Sequence, residues 1–186
     1  MILKAIKLAK EWQSAQPSQP SHMKNVISPK DCPNSIPQVP TNSLICFSDA
    51  AWISSSGDSG LGWVAKDPDG TVRFQGSDTR QCVASALMAE AMALKSSLSL
   101  AISSGFKDVV CFTDSKSLVG LLTGTSSVVA LKGIIHDISV LSSSLNSTSY
   151  QFISRDCNSD ADRLAKDALF LFSDSPSRIR TFVSNV

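Results

Sequence analysis

Three strand-like stretches follow one another between residues 44 and 77, before any helical periodicity begins, and this order constrains the fold more than any other feature of the chain. Residues 44–50 and 60–67 are short and apolar-rich, and 71–77 follows across a Pro68-Asp69-Gly70 turn, so the fold starts antiparallel. The spacing changes over 83–104. There Leu87, Ala91, Leu94, Leu98 and Ala101 recur at helical intervals, and Gly105 is placed to end the helix. Residues 108–113 (DVVCFT) form a short, mostly apolar run that fits a central buried strand. A brief helix from Ser115, a second over 131–145, a strand over 150–154 and a last helix over 159–172 complete the order β-β-β-α-β-α-α-β-α. That order predicts an α/β protein in which helices cover the faces of a mixed sheet.

Upstream, six of the eight prolines fall within residues 17–40, a density that excludes helix and leaves no apolar periodicity to bury. Residues 1–42 are therefore expected to be a basic N-terminal segment followed by a linker, with two readings of residues 2–12, a loosely ordered end or a short basic helix that serves targeting or docking. The folded domain is expected over 43–172 and a flexible tail over 173–186. Five lysines against Glu11 and Asp31 give the first 42 residues a charge of +3, which leaves 12 basic and 14 acidic groups, −2, for the rest. The domain thus has no basic footprint of its own, so any nucleic acid should bind weakly unless metal ions or a tether help. Apolar residues make up 42% and charged residues 18%, a globular composition. With no apolar run near the ~18 to 20 residues of a membrane span and no signal-peptide pattern, the chain is expected to be intracellular, in nucleus or cytoplasm, and away from membranes. The five cysteines are odd in number, far apart and without zinc spacing, and reduced thiols are expected.

Four carboxylates stand where apolar residues belong. Ile45, Phe47 and Asp49 share one strand face, and Val110, Phe112 and Asp114 share another, so each aspartate continues an apolar stripe. Glu90 lies within about 60° of Leu87, Leu94 and Ala101 on the buried side of its helix. Asp162 sits in the first turn of the last helix, on the face of Ala165 and Leu169. An ionised carboxylate in such a place is costly unless it is paired or holds a metal, and few basic residues are placed to pair with these. Plainer roles exist for each: Asp114 as a helix cap, Asp162 as the acidic member of a capping box begun by Ser159, Asp49 as a solvated strand end, Glu90 as an edge residue. None of these roles explains the ordered set of strand-end Asp, helix Glu, strand-end Asp and helix-start Asp.

These residues resemble ribonuclease H of type 1, in the plant form that ends non-LTR retrotransposon polyproteins and also occurs as separate chains. The resemblance covers about residues 43–172. Its most specific part is Arg155-x-x-Asn158-x-x-Ala161-Asp162-x-Leu164-Ala165-Lys166, supported by S-D-A-A-W around Asp49, M-A-E-A-M-A-L around Glu90 and T-D-S around Asp114. It implies a ribonuclease H-like five-stranded sheet of order 3-2-1-4-5 and hydrolysis of the RNA strand of RNA–DNA hybrids with two Mg2+ or Mn2+ ions. Asp49 would bridge both ions, with Glu90 and Asp114 on the attacking-water side and Asp162 on the other. Ala50, Ser115, Arg155 and Asn158 are the expected substrate-binding residues. Two departures stand out: Ala84–Met88 occupies the place of an Asn-rich stretch that holds RNA in many members, and residues 150–158 contain no histidine, where Arg155 is the candidate to substitute.

The chemistry agrees with the resemblance. Phosphodiester hydrolysis needs an activated water, a stabilised pentacoordinate phosphate and a leaving 3′ oxygen, and two divalent ions serve all three. An all-carboxylate set without His or Cys suits Mg2+ and argues against zinc. RNA would be told from DNA by its 2′-hydroxyl. The chain is expected to act as a monomer. The alternative is a catalytically weak or inactive module of the same fold that binds nucleic acid or a partner protein, which the near-neutral charge and the missing hybrid-holding residues favour.

Overall fold

The computed structural model describes residues 40–173. The basic N-terminal segment with its two readings of residues 2–12, the proline-rich linker up to residue 39, Cys32 and the tail from residue 174 onward lie outside the described residues.

Three antiparallel strands come first, β1 (Leu44–Trp52), β2 (Ser59–Lys66) and β3 (Val72–Arg80). Helix α1 (Ala86–Ser103) leads to β4 (Asp108–Thr113), then α2 (Lys116–Leu122), α3 (Lys132–Ser142), β5 (Ser147–Phe152) and α4 (Ser159–Ser173). The five strands form one sheet of order β3-β2-β1-β4-β5, with β1, β4 and β5 parallel. This is the mixed sheet that the order of periodicities and the resemblance imply.

Strand alternation divides the core. On one face Leu44 and Cys46 of β1 and Val109 and Cys111 of β4 pack with Ala91, Leu94, Leu98 and Ala101 of α1. On the other, Ile45, Phe47, Val110 and Phe112 pack with Ala161 of α4, and the Phe47 and Phe112 rings stack with centroids 5.5 Å apart. Burying both faces of β1 and β4 explains why these two strands read as nearly continuous apolar runs.

Several boundaries moved by one to three residues, and two of these shifts have a clear physical cause. Helix α1 starts at Ala86 rather than Val83, because Ser85 is extended (φ −163°) and its hydroxyl accepts from the Met88 amide, while Val83 is used by its carbonyl, which accepts from the Trp52 indole. Strand β5 covers Ser147–Phe152 rather than 150–154. Its start, Ser-Thr-Ser, has no apolar alternation, and the strand is set by parallel pairing with β4, Asp108 opposite Ser147 through Thr113 opposite Phe152. The absence of any apolar run near membrane-span length also needs correction. Helix α1 meets the length and composition of such a span, but it is a core helix whose Ala89, Ala93, Leu94 and Leu98 are buried. Cys46, Cys82 and Cys111 are free thiols as expected, whereas Cys157 takes part in a disulfide, which odd number and wide spacing gave no sign of.

Candidate active site

The parallel register of β1 and β4 pairs Phe47 with Phe112. Two residues further on, with side chains on the same face, stand Asp49 and Asp114. The aromatic stack therefore lies beneath two carboxylates at the same level of adjacent strands. Asp49 is 4% exposed, and the Asp114 side chain is 6% exposed.

Asp162 arrives from α4 because β2 presents bare backbone to that helix. Gly62 pairs with Asp49 across the β1–β2 ladder. A Cβ on Gly62 would lie 2.4 Å from the Ala161 carbonyl oxygen and 2.5 Å from the Ala165 nitrogen, and one on Gly60 only 2.0 Å from the Ala165 oxygen. Alanines at 161, 165 and 168 complete the close approach from the helix side. Asn158, 1% exposed at the head of α4, donates from Nδ2 to the Ser48 carbonyl.

Glu90 comes from α1, on the opposite face, and meets the group at the end of β4, where Ser115 hydrogen-bonds it. Ser115 also caps α2, its hydroxyl accepting from the Leu118 amide. This removes the plainer role for Asp114, since the cap of the helix that follows is its neighbour. One Glu90 oxygen, Oε2, is buried without a hydrogen-bond partner.

The electrostatics record the convergence. Burial, followed by the neighbouring charges of Asp114, Asp162 and Glu90, pushes the Asp49 carboxyl up to about 7, against the opposing effect of the Ala50 amide, which donates to Asp49 Oδ1 at 2.8 Å. Burial also raises Glu90, with Asp114 adding to it and Ser115 and Arg155 opposing. Two cations temper the group. Arg155 Nε stands 2.9 Å from Asp114 Oδ2, and Lys166 Nζ 2.7 Å from Asp162 Oδ2. That corrects the expectation that few bases would pair with these acids. Lys166 is an i,i+4 partner on the same helix, and Arg155 lies on a one-turn 3-10 helix (Arg155–Cys157) that only the tertiary fold brings beside β4.

The sequence-predicted residues thus fall into two groups. Asp49, Glu90, Asp114 and Asp162 are brought into one electrostatic neighbourhood, together with Ala50, Ser115 and Arg155. Asn158 instead turns inward to serve β1, which departs from a substrate contact because its side chain is closed off from solvent. Lys166 is the member that site reasoning missed, although its spacing from Asp162 was legible as an i,i+4 pair.

In donor chemistry the group fits a hard divalent cation: every candidate ligand is a carboxylate oxygen, and Glu90 Oε2 is unpartnered. Among the described residues, however, no three His, Cys, Asp or Glu side chains stand close enough together to hold one ion as placed. The two observations are compatible. Charge coupling acts over several ångströms, ligation of Mg2+ over about 2 Å, and two of the carboxylates are held by Arg155 and Lys166.

The sheet order β3-β2-β1-β4-β5, with helices flanking the sheet, defines a ribonuclease H-like fold. The chain belongs to the reverse transcriptase-like family, whose model matches residues 47–168. Among solved structures it is similar to RNase H1 from the halophilic archaeon Halobacterium salinarum NRC-1, with 27% identity and a TM-score of 0.65 over 69% of this chain and 98% of that one. It is also similar to the N-terminal RNase H domain of a Mycobacterium tuberculosis protein (24% identity, TM-score 0.65, 70% of this chain and 96% of that one). A third is LC11-RNase H1 from compost, in a complex with RNA/DNA hybrid (22% identity, TM-score 0.66, 71% of this chain and 100% of that one). The last two likenesses show the fold alone. No curated relative matches the chain.

Proposed function

We propose that this chain is a divalent-metal-dependent endonuclease that hydrolyses the RNA strand of RNA–DNA hybrids. The observation that carries this is the gathering of Asp49, Glu90, Asp114 and Asp162 from four separate elements at one end of the central strands. Packing alone gives no reason to assemble mutually repelling acids in a half-buried place. Family membership and the likeness to RNase H1 support the reading.

Asp49, Glu90, Asp114 and Asp162 would hold Mg2+ or Mn2+, two ions in all, and bound ions supply Lewis acidity for water activation and for the charge of the phosphate. Within this frame Asn158 fixes β1 relative to α4, and so Asp49 relative to Asp162. Ser115 orients Glu90. Arg155, 78% exposed at the rim, is placed to meet a phosphate, while the Ala50 amide holds Asp49 Oδ1. The protein would act as a monomer, inside the cell and away from membranes.

A second reading, a weak or inactive module that binds nucleic acid or a partner protein, is favoured by one observation: Asp114 and Asp162 already have cations of the chain's own. A labelled hybrid incubated with the purified protein and Mg2+ or Mn2+ separates the two. Cleavage by the wild type and none by Asp49→Asn supports the enzyme, and an intact hybrid with both supports the module. Duplex DNA and single-stranded RNA as competing substrates test specificity; preference for either would replace the hybrid reading.

A further inference from the structure

We propose that Arg155 and Lys166 are resident counter-cations of the acid group: each holds one carboxylate while the site is metal-free and gives it up when divalent ions bind. The proposal rests on the metal-dependent reading above.

Both pairs join unequal partners. The Asp114 side chain is 6% exposed and Asp162 25%, whereas Arg155 is 78% and Lys166 66% exposed. A carboxylate left alone in a largely buried position is costly, so each acid gains from its cation. A guanidinium or ammonium that already stands in water loses little by turning away, since exposed ion pairs contribute little to stability. Each pair therefore stabilises the acid that cannot move through a cation that can.

Charge counting gives the exchange its direction. With Arg155 and Lys166 in place, four carboxylates less two cations leave two negative charges, formally on Asp49 and Glu90. Once both are released, four negative charges face the ions, the charge of two divalent cations. Holding and releasing thus switches the group between a form tolerable without metal and a form matched to a metal pair. It also accounts for carboxylates that share a field yet do not stand as a ligand cage. Neither cation requires a moving loop or helix, because rotation of two long side chains is enough.

The test uses the full chain. Mn2+ binding is measured by calorimetry at low ionic strength for the wild type, Arg155→Gln, Lys166→Gln and Asp49→Asn. In parallel, the Arg155 Nε–H resonance is followed by NMR as Mg2+ is added. Removing either cation should tighten Mn2+ binding roughly two- to fivefold, the scale of a lost exposed ion pair. Metal-free Arg155→Gln and Lys166→Gln should melt below the wild type, and Mg2+ should move the Arg155 signal to that of a solvated guanidinium. Mn2+ bound by the wild type but no tighter by either variant, with an unmoved Arg155 signal, overturns the exchange and leaves the metal reading standing. Mn2+ bound by neither the wild type nor the glutamine variants, or bound equally by Asp49→Asn, overturns the metal reading and the exchange with it.

Discussion

Asn158 donates from Nδ2 to the carbonyl of Ser48 at 3.1 Å, so the residue four positions before Asp162 grips the residue immediately before Asp49. A single side-chain bond, buried and 110 residues apart in sequence, joins the two strips of chain that carry these acids.

Asn158→Ala should therefore lower stability by about 1–3 kcal/mol, the usual cost of removing one partner of a buried hydrogen bond. Urea unfolding measures it. Asn158→Asp should cost more, because an acceptor would then face the Ser48 carbonyl. If the alanine variant unfolds at the wild-type urea midpoint, this contact does not hold β1 and α4 together.

Gly62→Ala should be worse than its single methyl suggests. Its Cβ would meet backbone atoms of Ala161 and Ala165 at 2.4 and 2.5 Å, so the helix itself must lift. Overpacking commonly costs about 1–3 kcal/mol, and displacing a helix places this change at the upper end. Hybrid cleavage should fall beyond what the melting temperature accounts for, since lifting α4 draws Asp162 from Asp49. A variant with wild-type melting temperature and rate would show that the approach has slack.

The Asp49 carboxyl makes stability depend on pH in a direction that can be stated. Its folded value is raised to about 7 from an ordinary 3.8, first by burial and then by neighbouring acids, so the native state holds this proton more firmly than the unfolded chain. The protonated group contributes no penalty below pH ~4; stability falls as pH rises from there through about 7, and the full penalty is present above it. Asp49→Asn should thus be the more stable protein at pH 8 in chelator, by ~1 kcal/mol, with the difference closing toward pH 4. Mg2+ should raise the melting temperature of the wild type only. Equal melting temperatures across pH 4–8 in chelator would contradict the raised value.

Hybrid binding should be weak and depend shallowly on salt. Residues 43–186 carry 12 basic against 14 acidic groups, and the slope of log affinity with log salt scales with the number of phosphates neutralised. Fluorescence anisotropy across a salt series checks this. A tight, metal-free complex at physiological salt with a steep slope would show an unrecognised basic surface.

Much of this architecture was legible in the sequence where one period dominates. Alternation of Ile45, Phe47 and Asp49 gave the inward face of β1 without knowledge of its neighbours, and the run Asp108–Thr113 gave a central strand because both its faces are buried. The four acids stood out because each interrupts such a stripe. Other features depend on tertiary pairing and leave no local trace. The start of β5 is polar and exists because β4 offers it hydrogen bonds. Asn158 was expected to meet substrate, and only the depth at which α4 sits turns it inward. Arg155 could not be matched to Asp114, since their 41-residue separation carries no periodic signal.

The seating of α4 on Gly60 and Gly62 has a mechanical consequence. Elsewhere in the fold a layer of interleaved side chains separates helix from sheet, and such a layer can shear by changing rotamers. Peptide planes resting on peptide planes have no rotamers to change. Asp162 is thereby mounted as stiffly as the strand ladder itself, so adjustment during a catalytic cycle falls to Glu90 and the exposed arms of Arg155 and Lys166. In amide hydrogen exchange the first turns of α4 should open together with β1 and β2, as one unit.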